Sequence, residues 1–400
     1  MKVQKRSGQV EKQGSITLAL MAIVFAVAMG NGIAHFGTST MPFQVGAVMD
    51  GRGVSASQAG IFGLCEVGAL ACVMIFLSPI IHRFRAVWIA LTGSAFSGCA
   101  HFAMYFLDPT FPVLCALAVV AGSGYGLLYA AVITGASASE NPDRIYALGS
   151  SGTLLIIVLL MMILPFVATH FGPFGIFLGM SAIILVASPA LTGFFLSKKA
   201  QHQPSGSVLG QRGAAALLIL WSLFSFGTGA IWSFAERIGR HLDLSPETIG
   251  FILSASTFCG LAGTIGAAIT SGRVPRLWAV AIGLVGAGIG CLLLGLAWDS
   301  ISYACGVLTY WIFYMYLYAY LLGSSAALDP TGRIGTAGGG CERLAFAVGA
   351  PVGGLIVDHG SFGILGVMAA VLCFIAIPLC IPTLNRALKG TGGPRLAGIT

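Results

Sequence analysis

The feature that most constrains this chain is its series of long apolar segments. Stretch after stretch holds about twenty residues with hardly a charge, the length a helix needs to cross the hydrocarbon core of a bilayer. The runs are unbroken, whereas the strands of a membrane barrel alternate apolar and polar residues. In lipid, a helix satisfies its own backbone over each separate crossing. Composition agrees: 57% of residues are hydrophobic and 8% charged, against about a quarter charged in a soluble domain. A soluble enzyme and a disordered chain are therefore excluded. The 56 glycines follow no three-residue period, so a collagen-like fibre is excluded too.

The expected fold class is an all-α membrane protein with twelve spans, at 17–45, 57–81, 86–107, 111–137, 148–169, 173–196, 214–238, 247–271, 276–298, 301–326, 335–357 and 361–384. The first apolar stretch is too long for a signal-peptide core and is read as a retained first span. The ten cysteines contain no CxxC pair and read as small packing residues within helices. Orientation follows from the basic residues. With both termini inside, the cytoplasmic side carries Lys2, Lys5, Arg6, Lys12, Arg83, Arg85, Arg144, Lys198, Lys199, Arg212, Arg273, Arg276, Arg333, Arg386, Lys389 and Arg395. That is sixteen of the twenty Lys and Arg. The outer loops would hold Asp50, Asp108, Asp243, Glu247, Asp299 and Asp358, with Arg52, Arg237 and Arg240. The net charge of +7 is thus a topology signal, and no basic cluster forms a surface for nucleic acid.

The chain also repeats itself. Phe36-Gly37-Thr38 recurs as Phe226-Gly227-Thr228, Gly60 as Gly250, and Arg83, Trp88 and Gly93 as Arg273, Trp278 and Gly283, all at an offset of 190 residues (228 − 38). Further on the offset drifts slightly: Tyr125 and Tyr129 match Tyr314 and Tyr318, and His170 matches His359. The polar segment Lys198–Arg212 reads as a linker between the copies. The expected units are therefore a six-helix bundle at 1–197, a cytoplasmic linker at 198–212 and a second six-helix bundle at 213–400. An even number of spans per copy inserts both in the same orientation.

Two parallel six-span halves resemble the major facilitator superfamily over nearly the whole chain. The family's loop motif between spans two and three, approximately G-x-x-x-D-R-x-G-R, appears in reduced form as Ser78 to Arg85: Arg83 is kept, His82 replaces the acid, and both glycines are missing. The second copy, Ala268 to Arg276, keeps Arg273 and Arg276 without the acid. The resemblance implies a cytoplasmic gate at Arg83, Arg85, Arg273 and Arg276. The antiporter pattern of span five is absent from Leu154–Gly172, and a similar string, Gly349 to Gly354, lies in span eleven, where a kink and close packing explain it. The resemblance further implies that spans one, four, seven and ten line a central cavity.

Ionisable groups at membrane depth are functional candidates. Glu66, Glu342 and Glu236 are candidate proton carriers; a carboxyl hydrogen-bonded across the bundle is the alternative for Glu66, and an outer rim pair of Glu236 with Arg240 the alternative for Glu236. Arg343 keeps its charge when buried and offers a fork suited to carboxylates. It is the first candidate to hold an anionic solute, with bracing of span junctions as the alternative. His35 shares a face with Asn31 and fits solute contact, a proton relay or a plain interhelical hydrogen bond. Tyr310, Tyr314 and Tyr318 form one stripe, with Tyr125 and Tyr129 in the matching place of span four, an aromatic wall for a solute, the alternative being belt and packing; Trp232, one turn before Glu236, is a candidate to line the same cavity as that residue. His101 and Tyr105 read as packing. No Walker loop, H-E-x-x-H or G-x-S-x-G occurs, so no cofactor, metal or enzymatic activity is expected.

The expectation is a monomeric secondary transporter in a bacterial inner membrane, surrounded by lipid and moving a small solute with protons. Proton-coupled uptake of a small organic anion or aromatic solute leads. Proton-antiport efflux of an amphipathic compound is the runner-up, and a non-transporting membrane sensor or scaffold stands for the other class.

Overall fold

A computed structural model describes residues 18, 20–77, 80–137, 142–196, 213–329 and 333–390. The helices, in chain order, are α1 (Leu20–Ala34), α2 (Phe36–Ser39), α3 (Met41–Arg52), α4 (Ala56–Leu77), α5 (Ala86–Phe106), α6 (Phe111–Ser137), α7 (Pro142–Phe171), α8 (Gly175–Ala187), α9 (Ala214–Trp232), α10 (Ala235–His241), α11 (Pro246–Thr270), α12 (Arg276–Gly295), α13 (Ser300–Leu328), α14 (Arg333–His359) and α15 (Phe362–Gly390). Short 3₁₀ turns lie at Ile81–Arg83 and Ser188–Leu196. No strand occurs among the described residues. The basic N-terminal dozen, the 198–212 linker and Arg395 lie outside them.

Among the described residues eleven helical segments are long and apolar enough to cross a membrane, and α1 is a shorter apolar helix. The chain is thus a multi-pass integral membrane protein. The first span corrects the expectation of one continuous rod: it breaks at His35 and Thr40 into α1, α2 and α3. Pro42 in the first turn of α3 explains the second break, because it has no N–H to return to the Thr38 carbonyl. That freed carbonyl accepts the Trp232 indole N–H instead, at 3.0 Å. Span seven breaks likewise between α9 and α10. A second correction concerns Asp50, expected in a loop but found in the last turn of α3.

Both halves pack by the same plan. In the first, α6 packs on α4 and α5, and α5 on α8; in the second, α13 packs on α11 and α12, and α12 on α15. The closest crossings are backbone contacts at glycine. A Cβ on Gly122 of α6 would lie 1.8 Å from the Glu66 carbonyl of α4; one on Gly263 of α11 would lie 1.9 Å from the Ile312 carbonyl of α13. Trp88 and Trp278, partners in the repeat, both stand exposed in the first turn of α5 and α12, as indole rings do at the bilayer interface.

The halves meet chiefly along two pairs, α4 with α14 and α7 with α11, and α10 also touches α3. These pairs are also related by the repeat. A Cβ on Gly60 would lie 2.5 Å from the Pro351 Cα, and one on Gly250 would lie 2.6 Å from the Pro165 ring. Gly349, Gly353 and Gly354 likewise abut Phe226, Ala230 and Ala56 backbone, so the glycine string of span eleven is packed as expected. The two ends of the bundle are called here the basic face, with Arg83, Arg85, Arg273 and Arg276, and the acidic face, with Asp50, Asp108, Asp243, Asp299 and Asp358.

Candidate solute and proton sites

Arg343 lies ten residues into α14, about 15 Å along its axis. It is 8% exposed and reaches across to the first span. Its Nη1 donates to Thr38 Oγ1 and its Nη2 to His35 Nε2, each at 3.2 Å. The His35 tautomer follows from these contacts: Nδ1 faces the Asn31 carbonyl at 2.8 Å, an acceptor only, so Nδ1 carries the proton and Nε2 accepts from Arg343. Asn31 Nδ2 donates to Thr153 Oγ1 of α7 at 3.1 Å. The Tyr129 ring lies 5.4 Å from the His35 ring and 5.5 Å from the Arg343 guanidinium carbon. A buried guanidinium is thus held by neutral acceptors and an aromatic face. Thr38 and Thr153 were not singled out as site residues, since each stands among neighbouring hydroxyl side chains, Ser39 and Thr40 or Ser150 and Ser151, and nothing local marks which one meets a partner across the bundle.

Glu342 points elsewhere, as neighbours on a helix must. Its Oε1 accepts from the Tyr314 hydroxyl at 2.9 Å, and its buried Oε2 has no hydrogen-bond partner. Tyr314 stacks on Tyr318 at 6.3 Å, and Tyr318 meets Trp221 edge-on at 5.7 Å. Only part of the expected aromatic wall is accessible. Tyr129 and Tyr318 are half-buried alongside Asn31 and His35. Tyr310 and Trp232, each 1% exposed, stack on one another at 5.6 Å. Their apolar faces fill the junction of α9 and α13 rather than a cavity.

Glu66 lies mid-way along α4 and is fully buried. His101, expected to be packing, is its neighbour: His101 Nε2 is 3.5 Å from Glu66 Oε1. Tyr125, also completely buried, places its hydroxyl 3.2 Å from the same nitrogen. The repeat hid this grouping, because His101 has no counterpart at the matching offset.

At the acidic face, Arg237 donates to the Asp50 carboxylate at 2.6 Å and to the Gly46 carbonyl at 2.5 Å. Arg240 Nε donates to Glu236 Oε1 at 2.7 Å, the i, i+4 pair expected from sequence. Asp358, at the end of α14, accepts from the Ala56 and Ser57 amides at 2.8 and 2.9 Å. It thus caps a helix of the opposite half. A cavity of about 360 Å³ lies beside this cluster, lined by Asp50, Glu236, Arg240 and Pro165.

At the basic face the four arginines make local contacts. Arg85 donates to the Phe195 carbonyl at 3.3 Å and Arg273 to the Ile269 carbonyl at 2.7 Å. Arg83 ends the 3₁₀ turn and Arg276 opens α12, both exposed. None of the four forms an ion pair among the described residues. Arg273 and Arg276 line an open cavity of about 660 Å³ with Tyr320 and Ser271.

The comparisons agree with this architecture. The fold matches the peptide transporter POT in complex with sulfate (TM-score 0.70, 15% identity, 92% of this chain and 95% of that one). It matches a D-xylose–proton symporter (0.68, 15%, 90% and 98%). It also matches a bacterial homologue of the human lysosomal transporter Spinster in an inward-facing, unoccupied conformation (0.60, 12%, 93% and 96%). No curated relative matches the sequence. At such identities these structures speak for the fold alone, but the sequence model of the Major Facilitator Superfamily matches residues 20–339, most of the chain. With its doubled six-helix plan, broken first and seventh spans and buried polar centre, the chain belongs to the Major Facilitator Superfamily and is a membrane transporter.

Proposed function

We propose that the protein takes up a small organic anion together with protons across a bacterial inner membrane, as a monomer. Residues 1–197 and 213–400 are its two moving bodies, joined through 198–212, with the basic face and both termini in the cytoplasm. Alternating access then exposes the Arg343 centre to each side in turn.

The observation that carries this reading is Arg343: a guanidinium sunk in a membrane span whose hydrogen-bond partners are the neutral His35 and Thr38. A solute carboxylate would replace two neutral acceptors by a bidentate anionic one, which is the stronger interaction. His35, Asn31, Tyr129 and Tyr318 border the same place and fit the organic body of such a solute. Tyr314 and the buried Tyr125, Tyr310 and Trp232 hold that wall from behind. Glu66 or Glu342 carries the proton. Glu236 acts in the acidic-face cluster with Asp50, Arg237 and Arg240, which closes the outer side, while Arg83, Arg85, Arg273 and Arg276 flank the cytoplasmic mouth.

The test starts from a panel of small carboxylates screened by thermal shift in detergent, since a specific binder stabilises the folded state. The best binder is then followed in proteoliposomes under an imposed pH gradient. Accumulation driven by an inward proton gradient supports the proposal. Release under the same gradient would replace it by antiport efflux, a reading that the exposed edges of Tyr129 and Tyr318 also suit. Binding with no flux in either direction would leave a sensor.

A further inference from the structure

Three side chains from three helices of the first half converge in a fully buried pocket: Glu66 of α4, His101 of α5 and Tyr125 of α6. Their hydrogens can be counted. His101 Nδ1 lies 2.7 Å from the Ser97 carbonyl, which only accepts, so Nδ1 bears a proton. Nε2 then faces the Tyr125 hydroxyl at 3.2 Å and Glu66 Oε1 at 3.5 Å. If His101 is neutral and Glu66 ionised, Nε2 can take the hydrogen of the Tyr125 hydroxyl but has none to give, and neither carboxylate oxygen has a donor. An unpartnered carboxylate out of water is a costly state. One added proton removes the conflict, as a carboxylic acid donating to Nε2 or as an imidazolium paired with the carboxylate.

The surroundings offer no other charge to do this. Tyr125 is the titratable group that α6 turns to the pocket, its Tyr129 lying against His35 and Arg343 and its Cys115 against Cys65; α3 presents Met41 towards Gly63 of α4, and α8 presents Phe177 to the His101 ring at 5.8 Å. On α14, which packs along α4, Arg343 is engaged by His35 and Thr38, Glu342 by Tyr314, and Asp358 by the start of α4. On the α2 side the neighbour is Gly37, whose Cβ position would be 3.2 Å from Glu66 Oε2 and from the Tyr125 ring.

α2 is a single turn, isolated by the breaks at His35 and Thr40. Gly37 faces the Glu66 pocket, while the next residue, Thr38, and the preceding His35 hold Arg343. We infer that Glu66 and His101 Nε2 share one further proton between them, and that α2 couples its loss to the Arg343 centre. When the proton leaves, the carboxylate must gain water or a new donor, and α2 is the element in its way. Moving α2 shifts both acceptors of Arg343. His101 is then a positioning residue that sets when Glu66 releases its proton.

The inference rests on the proton-coupled reading but is tested without solute. Purified full-length protein in proteoliposomes is titrated by infrared difference spectroscopy, reading the carbonyl stretch of a protonated carboxyl. A band that titrates in the wild type, vanishes in Glu66→Gln, and changes midpoint in His101→Gln by about one pH unit or more, a tenfold change in proton affinity, supports the shared proton. Tyr125→Phe keeps the ring and serves if His101→Gln does not fold; it should move the midpoint in the same assay. Coupling is reciprocal, so Arg343→Gln should move the Glu66 midpoint as well. Absence of any titrating Glu66 band, or a midpoint indifferent to His101→Gln and Tyr125→Phe, overturns the dyad. A midpoint indifferent to Arg343→Gln overturns the role of α2. Failure of the dyad leaves symport standing with Glu342 as carrier, whereas failure of symport appears as solute flux without proton flux and leaves these titrations as they are.

Discussion

Arg237 of the second half donates to the Asp50 carboxylate of the first at 2.6 Å. The bond joins α10 to α3, the acidic-face segments of the two broken spans, so on the proposed alternating access the opening of that face breaks it. Replacing Arg237 by Ala should favour that opening. Partly exposed pairs of this kind are worth about 1 kcal/mol or less, so the expected shift is a few-fold. It is read as faster thiol labelling of an Ala47→Cys variant, freed of its other accessible thiols, because Ala47 is buried beside the outer cavity. An unchanged rate would show that the pair does not bear on closure.

Asp358 adds a second tie of a different kind, two amides of α4 capped by a carboxylate from α14. A carboxylate at a helix N-terminus contributes about 1 kcal/mol. Asp358→Ala should therefore raise the population open at the acidic face roughly fivefold, and combined with Arg237→Ala the effects should add, since they act on separate helix pairs. Distances between spin labels on α4 and α14 at the acidic face report this directly.

Arg343→Gln should weaken binding of an anionic solute by roughly 10- to 100-fold, the worth of a charge-assisted hydrogen bond in a buried site. Arg343→Lys restores the charge but not the fork that spans His35 and Thr38, so rescue should be partial. Equal affinity in all three forms, measured by calorimetry on the carboxylate found in the screen, would remove Arg343 from the solute site.

Gly122→Ala forces a methyl against the Glu66 carbonyl and Gly263→Ala one against the Ile312 carbonyl. Backbone cannot step aside as a side chain does, so each should destabilise by about 1–3 kcal/mol or more. Unfolding temperature in detergent measures it. Gly323→Ala, with nothing within 4 Å of the added methyl, is the control and should leave the temperature unchanged.

The spans, their pairing by repeat and the Glu236–Arg240 pair were legible in the sequence because each is a regularity: length, offset or helical spacing. Arg343, His35 and Asn31 were legible because polar groups in lipid are conspicuous. What could not be read was who meets whom across the bundle. Thr38 became an acceptor for Arg343, and its carbonyl one for Trp232, only because Pro42 stops the helix locally and the halves are in register. His101 looked like packing for a related reason: its significance is the approach of α5 to α4 and α6, a distance that no local pattern encodes. The stripe fixed the helix face of Tyr310 but not the depth of packing on that face, where it stacks on Trp232 of another span.

The contacts of Gly60 with Pro351 and of Gly250 with Pro165 have a mechanical consequence. At these two points bare main chain meets a ring or main chain. On the proposed rocking of the two halves, such points serve as bearings, since no side chain of their own has to change rotamer as one helix turns on the other. The resistance to rocking then comes from a few polar clasps, so small changes in charge can set which way the gate swings.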